Sequence, residues 1–139
     1  MLFAGCDNDF AEKEYNDNAK IVESADRYAK TVSTFKKSND NFSLEAGKFD
    51  GRETLWQKTL KNDEEIEFEV SLKLNEGTAK LVYIDNDNNV SIVAECSSET
   101  SKEQSKTEKL TLKKGKNRLK IVGKGCKNLS LKFEIKTAE

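Results

Sequence analysis

Three oxygen-bearing side chains at alternate positions, Asp85, Asp87 and Asn89, have the spacing of the first ligands of a calcium-binding loop. The rest of that pattern fails, because Val90 stands where the loop needs glycine and Cys96 where it needs a bidentate glutamate. Asp and Asn side chains also hydrogen-bond their own backbone in turns. We therefore expect a hairpin turn here, keep the three residues as a calcium candidate, and expect no other metal site and no cofactor.

The chain has three cysteines, Cys6, Cys96 and Cys126. Cys96 and Cys126 both stand near strand ends, so an oxidising compartment would allow a disulfide between them if their Cα atoms lie within about 7 Å. Two free thiols are the alternative, and the sequence slightly favours it. The long separation of the two residues excludes a C-x-x-C redox motif.

Catalysis finds little support in the residue types. The chain contains no histidine, which excludes Ser-His-Asp and Cys-His arrangements built within it. Glu67 and Glu69 alternate with apolar residues and belong to a solvent-facing strand surface, whereas a glycosidase needs two carboxyl groups facing each other across a cleft. The net charge of −1 gives no reason to expect nucleic acid as a partner. The sequence therefore predicts a protein that is not an enzyme.

Four aromatic side chains offer a different chemistry, the stacking of sugar rings. They are Trp56, Tyr83, Tyr15 and Tyr28. A single tryptophan on a strand more often fills a core, so the platform is the less favoured interpretation of Trp56.

The elements that must position these residues are strands. Between residues 66 and 74 every second residue is apolar, a period that a half-buried antiparallel strand produces and a helix does not. Asn75-Glu76-Gly77 supplies a turn, and the chain returns at 79–84 to complete a central hairpin. Further strand-like stretches lie at 42–46, 54–60, 90–96, 110–112, 118–122 and 129–135.

Seven to nine short strands at regular spacing predict a mainly β fold, an antiparallel β-sandwich or jelly roll. Asp50-Gly51 predicts a hairpin, with a glycine bulge inside one bent strand as the alternative. The polar stretch at 97–109 is typical of a mobile loop, and residues 123–128 are also predicted to form a loop.

The N-terminal region divides the chain into three parts, residues 1–6, 7–40 and 41–139. Ala4-Gly5-Cys6 resembles the end of a bacterial lipobox, which implies lipidation of Cys6, although the basic and apolar leader segments of a signal peptide are missing. Alanine-rich periodicity predicts a helix between residues 10 and 32, most strongly at 19–30, with a partly ordered stalk as the alternative. The third part is the predicted sandwich.

Charge is uneven along the chain. Basic residues dominate 102–136 and acidic residues dominate 7–69. Cross-strand ion pairs, such as Lys120 or Lys132 with Glu67 or Glu69, would explain this asymmetry. The alternative is a lysine-covered face attracted to an anionic polymer or membrane surface.

A series of turn and strand motifs resembles one family. Gly47-x-Phe49-x-Gly51, Gly77-x-Ala79-Lys80-Leu81 and the segment 115–123 look like the jelly-roll region of small uncharacterised lipoproteins and secreted proteins of Gram-positive bacteria. The likeness covers about residues 42–136 and implies a galactose-binding-like β-sandwich.

The resemblance implies a non-catalytic cell-envelope lipoprotein module that binds an extracellular polymer or protein partner. A carbohydrate-binding jelly roll with a loop-end pocket is the alternative. We expect a monomer, lipid-anchored outside the cytoplasm if the precursor carries a full signal peptide, that touches the membrane only through its lipid.

Overall fold

The computed structural model describes residues 9–136 of the 139-residue chain. Cys6, with the predicted lipobox and its lipidation, lies outside the described residues. Within residues 9–136, two short helices precede seven strands. The helices are α1 (Asp9–Glu14) and α2 (Asn18–Ile21), and the strands are β1 (Arg27–Lys37), β2 (Asn41–Leu60), β3 (Glu64–Lys73), β4 (Glu76–Ile84), β5 (Val90–Ser97), β6 (Glu103–Leu112) and β7 (Gly115–Ile135).

Two long strands, β2 and β7, hold the fold together. They pair antiparallel along nearly their whole lengths, and the register shifts near Gly51, where both strands bend. Their outer neighbours differ on the two sides of the bend. On one side of the bend, the first half of β2 and the last part of β7 lie in one layer with β1, β3 and β6. We call these five strands the five-strand layer. On the other side, the second half of β2 and the first part of β7 lie in one layer with β4 and β5. We call these four strands the four-strand layer.

The apolar sides of the two layers pack against each other. Ile66, Phe68, Val70 and Leu72 of β3 are buried while the glutamates between them are exposed, so the two-residue alternation places one face in the core. Aromatic rings join the strands inside, since the Phe133 ring centroid lies 5.2 Å from that of Phe42 and 5.1 Å from that of Phe68. The antiparallel β-sandwich predicted from the sequence is confirmed.

The first strand corrects the helix prediction. The helix predicted most strongly at 19–30 is wrong after Ile21, where α2 ends, and residues 27–37 form β1, which hydrogen-bonds along β2. Ten of the eleven β1 residues are exposed, which removes the apolar alternation that marks a strand. The boundary after residue 40 stays a prediction, although β1 before it pairs with β2 beyond it.

Four further predictions change. The predicted central hairpin is wrong, because β3 and β4 do not pair with each other in the described sheet: β3 pairs with β6 and β7, and β4 pairs with β5 and β7. Gly51 has φ of 111° inside β2, so the predicted Asp50-Gly51 hairpin is wrong and the alternative, one bent strand with a glycine bulge, is confirmed. The predicted mobile loop at 97–109 is wrong from Glu103 onward, because β6 pairs there with β3. The predicted loop at 123–128 lies within β7, which continues through the bend.

The segment before β1 covers the outside of the four-strand layer. We call residues 9–26 the acidic strap. Its buried Tyr15 and Ile21 pack on Val82, Ile84 and Val122, which forms a second, smaller apolar cluster on the opposite side of the layer from the main core. None of the described helices is long and apolar enough to cross a membrane.

Candidate functional site

The calcium candidate forms a turn. One carboxylate oxygen of Asp85 accepts the backbone N–H groups of Asp87 and Asn89, each at 2.9 Å, and the other accepts the Asn89 side-chain amide at 3.0 Å. Burial opposes ionisation of Asp85, but the donated hydrogen bonds outweigh it and hold its pKa below the usual value. Within residues 9–136 no group of three or more acidic or cysteine side chains is placed to hold a metal ion.

The two described cysteines are free thiols in the core. Cys96 lies on β5 and Cys126 on β7, with β4 between them, and both are buried. The Cys126 thiol donates to the carbonyl oxygen of Thr78 at 3.2 Å. Burial raises the pKa of Cys96 to about 11 and that of Cys126 to about 12, so both thiols stay protonated and unreactive near neutral pH. The structure holds Cys96 and Cys126 as free thiols, the arrangement that the sequence slightly favoured over a disulfide.

The aromatic residues do not form a sugar-stacking platform. Trp56, Tyr83 and Tyr15 are each at most 4% exposed, and Trp56 belongs to the main core, as favoured from its position on a strand. Tyr83 instead donates its hydroxyl to Asn117, which also caps backbone groups of the turn before β7. Tyr28 is partly exposed at the edge strand, where its ring stacks on Phe49.

The outward face of the five-strand layer carries a row of small hydroxyl side chains. Register places Ser43, Lys132, Ser71 and Ser105 directly beside one another on β2, β7, β3 and β6. Ser105 donates its hydroxyl to Ser71 at 3.1 Å. Because serine is short and its neighbours along each strand are longer, the row lies in a depression, which we call the serine trough.

The trough consists of two adjoining hollows of about 470 and 460 Å³ that share Ser71 and Lys132. Charged residues border it at both ends. Glu69 and Glu134 lie at one end, and both accept contacts from Lys136 at 3.6 Å. The other end is bordered by Glu45, Lys73 and Ser130. The trough is therefore a mixed polar surface rather than a patch of one charge.

Several polar groups of the trough have no partner within the described part of the chain. Lys132 makes no hydrogen bond or ion pair there, which contradicts the predicted pairing with Glu67 or Glu69. The side chains of Ser43, Ser130 and Glu45 are also uncommitted in that region. Uncommitted donors and acceptors held on neighbouring strands are what an incoming polar ligand needs.

A third hollow, of about 470 Å³, lies at the loop end of the four-strand layer, but several of its polar groups are already engaged. Arg118 donates to the carbonyl oxygen of Val22 at 3.0 Å and to Asn88 at 3.1 Å. Asn86 accepts the backbone N–H of Lys116 at 3.0 Å. The loop-end pocket predicted as a carbohydrate site therefore offers a ligand fewer free partners than the trough does.

The trough was missed at the level of sequence. Alternation places Ser71 and Ser130 on a polar face, which is readable from the residue pattern. Their meeting with Ser43 and Ser105 depends on the register of four strands, which no local signal carries.

No protein-family model matches the chain, and no curated protein matches it. Among solved structures, a CBM35 from Paenibacillus barcinonensis is 14% identical over 83% of this chain and 100% of its own, with a TM-score of 0.36. A carbohydrate-binding module of lichenase 5A from Cellvibrio mixtus, in complex with cellotriose, is 10% identical over 84% of this chain and 89% of its own, with a TM-score of 0.38.

Exo-beta-1,3-galactanase from Phanerochaete chrysosporium, with beta-1,3-galactotriose, is 14% identical over 79% of this chain and 27% of its own, with a TM-score of 0.42.

Proposed function

We propose that this protein is a non-catalytic binding module whose serine trough holds an extended carbohydrate chain. The observation that supports it most is Lys132, which has no hydrogen-bond or ion-pair partner in the described part of the chain and stands in a row of serine hydroxyls. Sugar hydroxyls and ring oxygens accept hydrogen bonds from an ammonium group. Sugar hydroxyls also donate to carboxylates such as Glu45 and exchange hydrogen bonds with serine.

The shape of the site fits a chain better than a single sugar. The row crosses four strands, and three steps of about 4.8 Å between strands give a length of about 14 Å. Its side chains stand on paired strands rather than on loops. Little conformational entropy is therefore lost when a ligand fixes them, which favours affinity.

A protein partner is the second candidate, and one observation favours it. The trough has no exposed aromatic ring among its lining residues, whereas Val32, at its edge on β1, is 90% exposed and Phe35 is 40% exposed. An apolar edge beside a polar trough would suit an extended peptide laid along β1. Such a partner would depend on Val32 and Phe35 more than on Lys132.

The two candidates separate in one experiment. Labelled protein is applied to a glycan array, and affinity for the best-bound glycan is measured for Lys132→Ala and for Ser71→Val, which keeps the strand but removes the hydroxyl. We expect each change to weaken binding about tenfold, the effect of losing one good hydrogen bond. Lys61→Ala, in the turn after β2, is the matched control. Unchanged affinity in both trough variants would overturn the proposal.

We propose that the protein is located outside the cytoplasm, that Cys6 is its lipidated residue, and that the folded module after Cys6 is a monomer. The support is the residue series Ala4-Gly5-Cys6. Mass spectrometry of protein expressed from its full native gene tests it. The expected result is an N-terminal Cys6 carrying acyl chains, and an unmodified chain extending upstream of Cys6 would contradict it.

A further inference from the structure

Four basic side chains are buried together on the outward side of the four-strand layer. Arg52 is 5% exposed, Lys80 is 4%, Arg118 is 6% and Lys120 is 0%. They stand on the neighbouring strands β2, β4 and β7. Burial lowers the pKa of Lys120, and the charges of Arg118 and Arg52 lower it further. We call this group the cationic face.

The acidic strap supplies the opposite charges. Arg52 forms ion pairs with Glu14 and with Glu23, the latter at 3.1 Å, and Lys120 lies 3.1 Å from Asp26. Backbone carbonyl groups of the strap also contribute, because Lys120 donates to the Glu23 carbonyl oxygen at 2.7 Å. The strap thus presents carboxylates and carbonyl oxygens to the cations as an external polyanion would.

The strands themselves offer these cations little compensation. Every ion pair that Arg52 and Lys120 make within residues 9–136 is with the strap. Lys80 does have Glu95 beside it on β5, and its ammonium lies over the Tyr15 ring of the strap at 4.4 Å. Without the strap, four positive charges would face solvent with one adjacent carboxylate.

The acidic strap leaves a buried donor unsatisfied, and its helices are too short to be stable alone. Arg52 Nε is buried and has no hydrogen-bond partner among residues 9–136, which marks an unfulfilled donor beneath the strap. The two strap helices have six and four residues, far below the length at which an isolated helix is stable in water. The strap therefore owes its conformation to the surface that it covers.

We propose that the cationic face is a second binding site, for a polymer bearing closely spaced carboxylates, and that the acidic strap occupies it as a built-in competitor. Arginine pairs well with carboxylates, and the strap already places carboxylates against Arg52. Binding requires displacement of residues 9–26. This site lies on the opposite layer from the serine trough and does not depend on the function proposed for it.

The test uses the full chain with the strap charges removed, Glu14→Gln, Glu23→Gln and Asp26→Asn together. The matched control carries the same charge change at exposed sites, Glu64→Gln, Glu65→Gln and Glu99→Gln. Affinity for polygalacturonate is measured in low salt, with dextran as the neutral polymer. We expect the strap variant to bind at least tenfold more tightly than the control and to lose that gain in high salt. Equal affinity of the two variants would overturn the proposal.

A measurement on the unmodified protein covers the case in which the triple variant does not fold. Backbone hydrogen exchange is followed at residues 9–26 with and without polygalacturonate. The expected result is faster exchange in the strap when the polymer is present, with no change in β3. Unchanged exchange in the strap at a saturating polymer concentration would contradict displacement.

Discussion

The ammonium nitrogen of Lys120 lies 3.1 Å from Oδ1 of Asp26, and Lys120 is fully buried. This contact joins the first third of the longest strand, β7, to the residue immediately before β1. It accounts for part of the uneven distribution of charge along the chain, since Asp26 of the acidic N-terminal segment neutralises Lys120 of the basic C-terminal part. Neither a cross-strand pair with Glu67 or Glu69 nor an open lysine face is needed to account for Lys120.

Asp26→Asn should destabilise the protein by about 1 to 3 kcal/mol, because it leaves the buried ammonium of Lys120 without its ion-pair partner. Asp63→Asn is the control. The Asp63 carboxylate lies 4.0 Å from the Lys113 ammonium, and both side chains are more than half exposed. Losing this ion pair should change the free energy of unfolding by less than about 0.5 kcal/mol. Urea denaturation measures the free energy of unfolding of both variants. Similar losses of stability in the two would contradict the role given to the Lys120–Asp26 pair.

Gly51→Ala should destabilise by about 3 kcal/mol, since φ is 111° and an added Cβ would lie 2.2 Å from the carbonyl oxygen of Arg27. Gly47→Ala on the same strand meets no atom closer than 3.5 Å and should change stability by less than about 0.5 kcal/mol. Thermal unfolding compares the two. Tolerance of alanine at residue 51 would argue against the bend and bulge in β2.

The thiols of Cys96 and Cys126 should make stability fall above pH 9. Their pKa values are raised from 9.0 to about 11 and about 12, so the unfolded chain loses these protons first and is favoured as pH rises. Their stabilising effect is complete below pH 9 and is lost as the pH rises through about 11 for Cys96 and about 12 for Cys126. At pH 10 the wild type should have lost about 2 to 3 kcal/mol more than a Cys96→Ala, Cys126→Ala variant, relative to pH 8.

Denaturation under reducing conditions at the two pH values measures this difference. The other titrating groups are common to both proteins and cancel. Identical pH profiles would mean that the two thiols do not titrate as buried groups.

Trp56→Phe should leave carbohydrate binding within twofold of wild type, because Trp56 lies in the main core and not at the trough. Trp56→Ala should instead cost about 3 to 5 kcal/mol of folding free energy through the cavity that it leaves. Isothermal titration and denaturant unfolding check the two effects. A large loss of affinity in the folded Trp56→Phe protein would restore the stacking interpretation.

Strands with one buried face could be predicted from the sequence, and strands without one could not. Ile66 and Phe68 alternate with glutamates because β3 has a core side and a solvent side, so the residue pattern records the burial. Strand β1 has no buried side, so its residues do not alternate between apolar and polar. Its backbone hydrogen bonds to β2 cannot be predicted from the types of its residues. The first part of β6 is polar for the same reason.

The two candidate sites depend on contacts between distant residues. Ser71 and Ser105 are 34 residues apart, and Lys120 and Asp26 lie on separate elements. Their residue types gave only the polarity of the surfaces. The register of the sheet and the path of the acidic strap decide which polar groups meet, and both are set by packing of the whole chain.

Carbohydrate binding in the serine trough is tested most directly by mapping backbone amide shifts during titration with the best-bound glycan. The expected changes cluster at residues 43–45, 69–73, 103–107 and 130–134, with the acidic strap unchanged. Shifts confined to the loop at 85–89 or to the strap, with none around Lys132, would contradict the central claim.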